Sequence, residues 1–167
     1  MTIQALRDKV WYSALDPKQQ RGVELAYMLY EREKASSSTL SDYSFVVFPI
    51  AKAYEGFLKE FFLSIGLIDT ATFEGKRFRI GRALNPDINQ NQRDEWWLYD
   101  DVSKLCGDAL STTLWTAWLE CRNRVFHYYP TTVTALSLAQ AYGYVEEISQ
   151  AIESALTCRT TNHLGKD

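Results

Sequence analysis

The run Tyr43-Ser-Phe-Val-Val-Phe-Pro-Ile-Ala-Lys-Ala-Tyr-Glu-Gly-Phe-Leu-Lys-Glu-Phe-Phe-Leu-Ser-Ile65 places its apolar residues three and four positions apart. Val47, Ile50, Ala51, Tyr54, Leu58, Phe61, Phe62 and Ile65 form one stripe, the pattern of a helix that buries a single face. Gly66 is a suitable stop, because glycine accepts the left-handed conformation that ends helices. Pro49 lies inside the run, so the helix either kinks there or begins there.

The same period recurs on both sides of this run. Thr2 is placed to cap a helix over 3–15. Asp16-Pro17 reads as an N-cap followed by a first-turn proline, opening a helix to about Lys34. Ala35-Ser-Ser-Ser-Thr39 is a linker. Further on, helices are expected over 94–106, stopping at Gly107, and over 110–128, stopping before Pro130. A last helix is expected from Thr131-Thr132 to Thr157, with Ala135, Leu138, Ala139, Tyr142, Val145, Ile148, Ile152 and Leu156 facing inward. Residues 67–92 are the least regular, with the turn signal Asn85-Pro86-Asp87 and a polar run at 89–92. No segment alternates with period two. The expectation is an all-α bundle of about six helices in one domain over 1–157, with 158–167 as a tail.

Composition agrees and narrows the function. The chain has 167 residues, enough for one domain with a substantial core. Gly (8) and Pro (4) are scarce, which disfavours disorder and turn-rich β folds. A net charge of −3 disfavours a generally basic nucleic-acid binder but leaves room for a local basic site. Cys106, Cys121 and Cys158 are widely spaced, and the only histidines are His127 and His163, so no metal site or other cofactor is expected. An odd, unpatterned cysteine count argues against a disulfide scaffold and for a reducing, cytoplasmic compartment. No apolar run is long enough to span a bilayer.

The segment Arg122-Asn123-Arg124-Val125-Phe126-His127-Tyr128-Tyr129-Pro130 carries the chemistry. Imidazole exchanges protons near neutral pH, and guanidinium matches phosphate oxygens and never loses its charge. Such a set suits RNA cleavage without a metal, in which a ribose 2′-OH attacks the adjacent phosphorus. On an ideal α-helix, Arg122 and His127 stand about 140° apart, whereas Asn123 and His127 share a face. Arg122 then turns toward a cleft at the bundle end or at a subunit boundary. A site whose acid and base are both histidine needs one His127 from each subunit of a homodimer; otherwise a carboxylate shares the work. The single His127 and the five tryptophans favour a composite site at a two-fold interface. The bland alternative is two cations at the negative end of a helix dipole.

Arg122-Asn123-x-x-x-His127 resembles the Arg-x4–6-His signature of the HEPN superfamily (higher eukaryotes and prokaryotes nucleotide-binding domain). Many members are metal-independent ribonucleases that dimerise with both motifs facing a shared cleft. Ala51-Lys52-Ala53-Tyr54-Glu55-Gly56-Phe57-Leu58-Lys59 resembles the first core helix of the HEPN domain in RNase LS-type toxins. That resemblance implies a third site residue, Glu55. On the helical wheel Glu55 lies at the shoulder of the apolar stripe, where it is either a site residue or half of an i,i+4 pair with Lys59, while Glu60 is expected to face solvent. Arg122-x4-His127-x-Tyr129 is also similar to HEPN toxins paired with a nucleotidyltransferase antitoxin, in which the tyrosine receives AMP; the plain reading of Tyr129 is an aromatic lid on a helix end. The two resemblances agree on a ribonuclease toxin and differ on the antitoxin.

They imply catalytic roles for Arg122, His127, Glu55 and Asn123, an RNA substrate, a homodimer and a cognate antitoxin protein. The rival reading is a non-catalytic HEPN-like module for nucleotide binding or protein assembly. Lys76, Arg77, Arg79, Arg82 and Arg124 are candidates to track an RNA backbone or are ordinary solvated charges. The pairs Trp96/Trp97 and Trp115/Trp118 either stack bases or fill the core.

Overall fold

The computed structural model describes residues 2–128, 130 and 135–163, the side chains of 160–163 excepted. Every regular element among them is helical. The expected helix over 3–15 is instead two short ones, α1 (Ile3–Arg7) and α2 (Val10–Ser13), separated at Asp8-Lys9. α3 (Pro17–Ala35) opens as expected. The Asp16 side chain accepts from the Lys18 and Gln19 amides, and the Gln19 side-chain oxygen accepts from the Asp16 amide, so all three donors are met.

α4 (Ser44–Ser64) is the central helix, and Pro49 lies within its first turns rather than breaking it. Its stripe is buried: Val47, Ile50, Tyr54, Leu58, Phe61 and Phe62 are all fully enclosed. Gly66 follows with φ 76°, the left-handed conformation expected of it. Residues 67–98 hold only α5 (Thr70–Glu74), α6 (Ile80–Ala83) and a 3₁₀ turn at Gln90–Gln92. α7 (Tyr99–Cys106) starts five residues later than expected. Asp94 accepts from the Trp96 amide and, through its carbonyl, from Trp97, making a turn rather than a first helical turn. Gly107, at φ 89°, separates α7 from α8 (Asp108–Trp118).

α8 does not continue as an α-helix. Leu119–Asn123 forms a π turn, followed by the short α9 (Arg124–Phe126), and the helix lets go at His127 (φ −104°, ψ 138°). The last helix, α10 (Leu138–His163), begins later than the expected Thr131-Thr132. Its N-cap is Ser137, which exchanges hydrogen bonds with Gln140. Ala135 therefore precedes it, and Leu136 is buried instead, donating to Asp42 and accepting from the Tyr43 amide at the start of α4. α10 also runs past residue 157, so the expected tail is helical at least to His163.

α4 packs against α3 and α10, which also touch each other, and α8 packs on α10. Gly22 makes the first contact possible: a Cβ there would stand 2.9 Å from the Pro49 carbonyl oxygen. Tyr54, fully buried, donates to the Leu114 carbonyl at 3.1 Å and ties α4 to α8. Cys106 and Cys158 are joined by a disulfide, Cα–Cα 5.6 Å, between the end of α7 and α10. This corrects the expectation drawn from unpatterned cysteines. Sequence spacing of 52 residues says nothing when two helix ends meet in space. Among the described residues no helix is long and apolar enough to cross a membrane.

Candidate functional site

Glu55 and Arg122 meet across 67 residues of sequence. The Arg122 guanidinium donates from Nη2 to Glu55 Oε2 at 3.2 Å. Glu55 thus takes its charge partner from the far helix and not from Lys59 on its own. The other face of the guanidinium rests on Trp118, 4.7 Å from the ring centroid. Trp118 is 4% exposed and fixed by packing, so Arg122 is clamped between an acid and an aromatic plane. Gly81 leaves the indole its space, since a Cβ on α6 would come within 2.8 Å of Trp118 Nε1.

The two residues open into a cleft of about 360 Å³ between α4 and the end of α9. His127 lines it, as do Phe48, Ala51, Lys52 and Phe126. Phe48 and Phe126 meet edge to face, 5.5 Å between centroids, and form one wall. His127 is exposed, on extended backbone just past the helix.

This arrangement corrects the angular argument. A π turn closes i→i+5 bonds and so holds about one residue more per turn than an α-helix. Its i→i+5 bond runs from the Arg124 amide to the Leu119 carbonyl, so it re-aims Arg122, while His127 is placed by the turn to extended backbone that ends α9. With Arg122 in the π turn and His127 released into extended backbone, both face one cleft of one chain. A π turn is a common device at functional sites, because it re-aims side chains without ending the helix.

Asn123 is half-buried on the π turn and does not line the cleft. Tyr129 lies outside the described residues. The basic candidates are elsewhere. Arg79 donates to the Lys76 and Phe78 carbonyls, and Arg82 donates to the Gln92 carbonyl and the Asp94 carboxylate, 2.7 and 2.9 Å. These two arginines close the irregular segment. Arg124 pairs with Glu120 one turn back. Lys76 and Arg77 are exposed but do not reach the cleft. Trp97 is buried, its Nε1 donating to the Asn85 carbonyl at 2.8 Å, while Arg93 lies on its face at 3.7 Å. Trp96 and Trp115 are partly buried against the core.

From sequence, Lys52 and Phe48 have no role in a site and Trp118 only that of a base-stacking or core residue. Lys52 precedes Glu55 by three and Phe48 by seven, so all share a helix face, and Trp118 precedes Arg122 by four. The spacing was available as a signal. Cys121, between the site residues, is buried. Burial, followed by the nearby Glu147 carboxylate, pushes its thiol well up, so it stays neutral and is no nucleophile. Among the described residues no three His, Cys, Asp or Glu side chains gather in a way that could hold a metal ion. The chain matches no family model, no curated protein and no solved structure.

Proposed function

We propose that this chain is a metal-independent endoribonuclease of the HEPN type, the toxin of a toxin–antitoxin or phage-defence system. The observation that carries the reading is the convergence of Glu55, Arg122 and His127 on one cleft. Arg122 and His127 are the pair that side-chain chemistry points to, Glu55 is the residue that the resemblance adds, and they come from two segments distant in sequence.

In this reading Arg122 holds the scissile phosphate and stabilises its added negative charge, since its donors match phosphate oxygens. Glu55 and Trp118 fix that guanidinium before substrate arrives. His127 exchanges protons with the reacting oxygens as general acid or base. The second Glu55 oxygen orients an imidazole or shares the base role. The ribose 2′-OH attacks phosphorus, the P–O5′ bond breaks, and the products are a 2′,3′-cyclic phosphate and a 5′-hydroxyl. Asn123, on the π turn and off the cleft wall, has no assigned contact with the phosphate. A homodimer and a cognate antitoxin protein belong to the same reading. Support for the dimer is a single His127 per chain beside Tyr128, which is 88% exposed. The RNA substrate puts the working protein in the cytoplasm.

The test is direct. Purified protein is incubated with a defined single-stranded RNA in excess EDTA, and the new ends are characterised. The reading requires 5′-hydroxyl ends that a polynucleotide kinase labels without prior phosphatase, and cyclic phosphate on the other fragment. No cleavage of any RNA in the absence of an inhibitor protein, or cleavage only after Mg2+ or Mn2+ is restored, overturns it.

A further inference from the structure

Besides His127, three charged side chains line the cleft: Lys52, Glu55 and Arg122. Two of them offset each other, since Arg122 Nη2 donates to Glu55 Oε2 at 3.2 Å. A phosphate arriving at Arg122 therefore meets a guanidinium that already faces an acid. Lys52 is the residue that gives the cleft a net positive charge.

Lys52 is exposed and has no ion pair among the described residues. α4 sets Phe48, Lys52 and Glu55 at intervals of four and three, so they share one helix face. Glu55, the acid within i,i+3 reach of Lys52, is taken by Arg122 from the π turn. Lys52 also borders a second concavity, about 610 Å³, between α3 and α4. The acids there are Asp16 and Glu60, the latter half-buried rather than facing solvent, and they engage Gln19 and each other. The basic residues of the irregular segment and Arg124 do not line the cleft. Among the described lysines and arginines, Arg122 and Lys52 alone do.

We propose that Lys52 is a further catalytic residue of the RNA-cleaving site, its ammonium donating to a non-bridging oxygen of the scissile phosphate. The inference rests on the ribonuclease reading. The phosphodiester carries one negative charge before reaction. Attack by the 2′-oxygen, whose proton leaves to the base, forms a five-coordinate phosphorus carrying about one more. The P–O5′ bond then breaks and O5′ takes a proton from the acid. Lys52 keeps its own proton throughout and stabilises the added charge. A contact that strengthens as charge builds raises the rate more than it raises affinity for RNA. A compact ammonium on a flexible stem can follow the oxygen as the phosphorus changes shape. The paired Arg122 orients the phosphate, and Lys52 supplies the charge that this pair lacks.

The experiment uses a short single-stranded RNA that the wild-type protein cuts in EDTA at one mapped position. The cleavage rate is measured at saturating protein in a single turnover. Affinity is measured by anisotropy on the same RNA with 2′-deoxyribose at the cut nucleotide, which removes the nucleophile. Lys52→Gln is expected to slow saturated cleavage about a hundredfold, the usual loss for one transition-state donor, and to weaken affinity less than threefold. Lys52→Arg, which restores the charge, is expected to cut at least tenfold faster than Lys52→Gln. Lys59→Gln removes the same charge two turns along α4, off the cleft, and is expected to stay within threefold of wild type. A rate loss below tenfold in Lys52→Gln overturns the proposal. So does an affinity loss as large as the rate loss, which would make Lys52 a residue that only tracks the RNA backbone. An equal rate loss in Lys59→Gln, or equal loss in Lys52→Arg and Lys52→Gln at unchanged helix content, also overturns it. If wild type cuts RNA, His127→Ala does not and Lys52→Gln cuts normally, this inference fails and the ribonuclease reading stands. If wild type cuts no RNA, both fail.

Discussion

The Arg122 guanidinium lies between Glu55 Oε2, at 3.2 Å, and the Trp118 ring, at 4.7 Å. Both members of the ion pair are part-exposed, with side chains 31% and 41% accessible. In that setting the pair contributes about 1 kcal/mol or less to stability, and the ring contact about as much. Arg122→Ala is therefore expected to fold, losing roughly 1–2 kcal/mol in urea unfolding, while RNA cleavage falls by about a hundredfold or more, the typical loss for one transition-state donor. Glu55→Gln, which keeps the shape and removes the charge, is expected to cost at least about tenfold. Near-normal cleavage by Arg122→Ala would show that the clamp is structural only.

His127 is exposed and past the end of α9, so no core packing depends on it. His127→Ala should leave stability within about 0.5 kcal/mol. Cleavage should fall by about a hundredfold or more, the share usual for general acid–base catalysis. Activity within tenfold of wild type would remove His127 from the mechanism.

Gly81 acts at one remove. Adding a methyl group there places it 2.8 Å from Trp118 Nε1, so the indole that carries Arg122 must shift. Gly81→Ala is expected to lower kcat by about tenfold or more, since small misplacements of a charged group cost much rate. Replacing the indole in the same protein, Gly81→Ala with Trp118→Phe, removes the clashing Nε1 and should recover part of the loss. A double-mutant cycle with no coupling would break the link from Gly81 to Arg122.

Each chain brings Arg122, His127 and Glu55 to its own cleft. A site that draws arginine from one subunit and histidine from the other is thus not expected, even within a dimer. Mixing inactive His127→Ala with inactive Arg122→Ala under conditions of subunit exchange should restore no cleavage. Recovery of a quarter or more of wild-type activity would return the composite site to consideration.

The Cys106–Cys158 bond closes a loop across 52 residues. In the chain-entropy view a loop of that size contributes about 4 kcal/mol by restricting the unfolded chain, of which native disulfides typically deliver about 2–4 kcal/mol. Cys158→Ser should lower stability by that amount in non-reducing urea unfolding. Dithiothreitol should destabilise wild type equally and leave the variant unmoved. A wild type indifferent to dithiothreitol would mean the bond does not form in solution.

The sequence by itself determined that the chain is helical, where most helices lie, and which face of α4 is buried. Those properties are local: apolar residues three and four apart, the Asp16-Pro17 start, and Gly66 and Gly107 as stops act within one or two turns. Side-chain chemistry also singled out Arg122 and His127, whereas Glu55 came from the resemblance, its place on the helical wheel fitting an i,i+4 pair with Lys59 equally well. Where helices met one another, the sequence fell short. Neither the π turn at Leu119–Asn123 nor the release of His127 into extended backbone carries a composition signal, and together they bring Arg122 and His127 to one cleft that an ideal helix would not. The same holds for Glu60, half-buried where the end of α4 faces the start of α3, and for Cys106 with Cys158, whose bond joins the end of α7 to α10. Each depends on contacts between residues tens of positions apart, which no helical period encodes and only the packed tertiary structure decides.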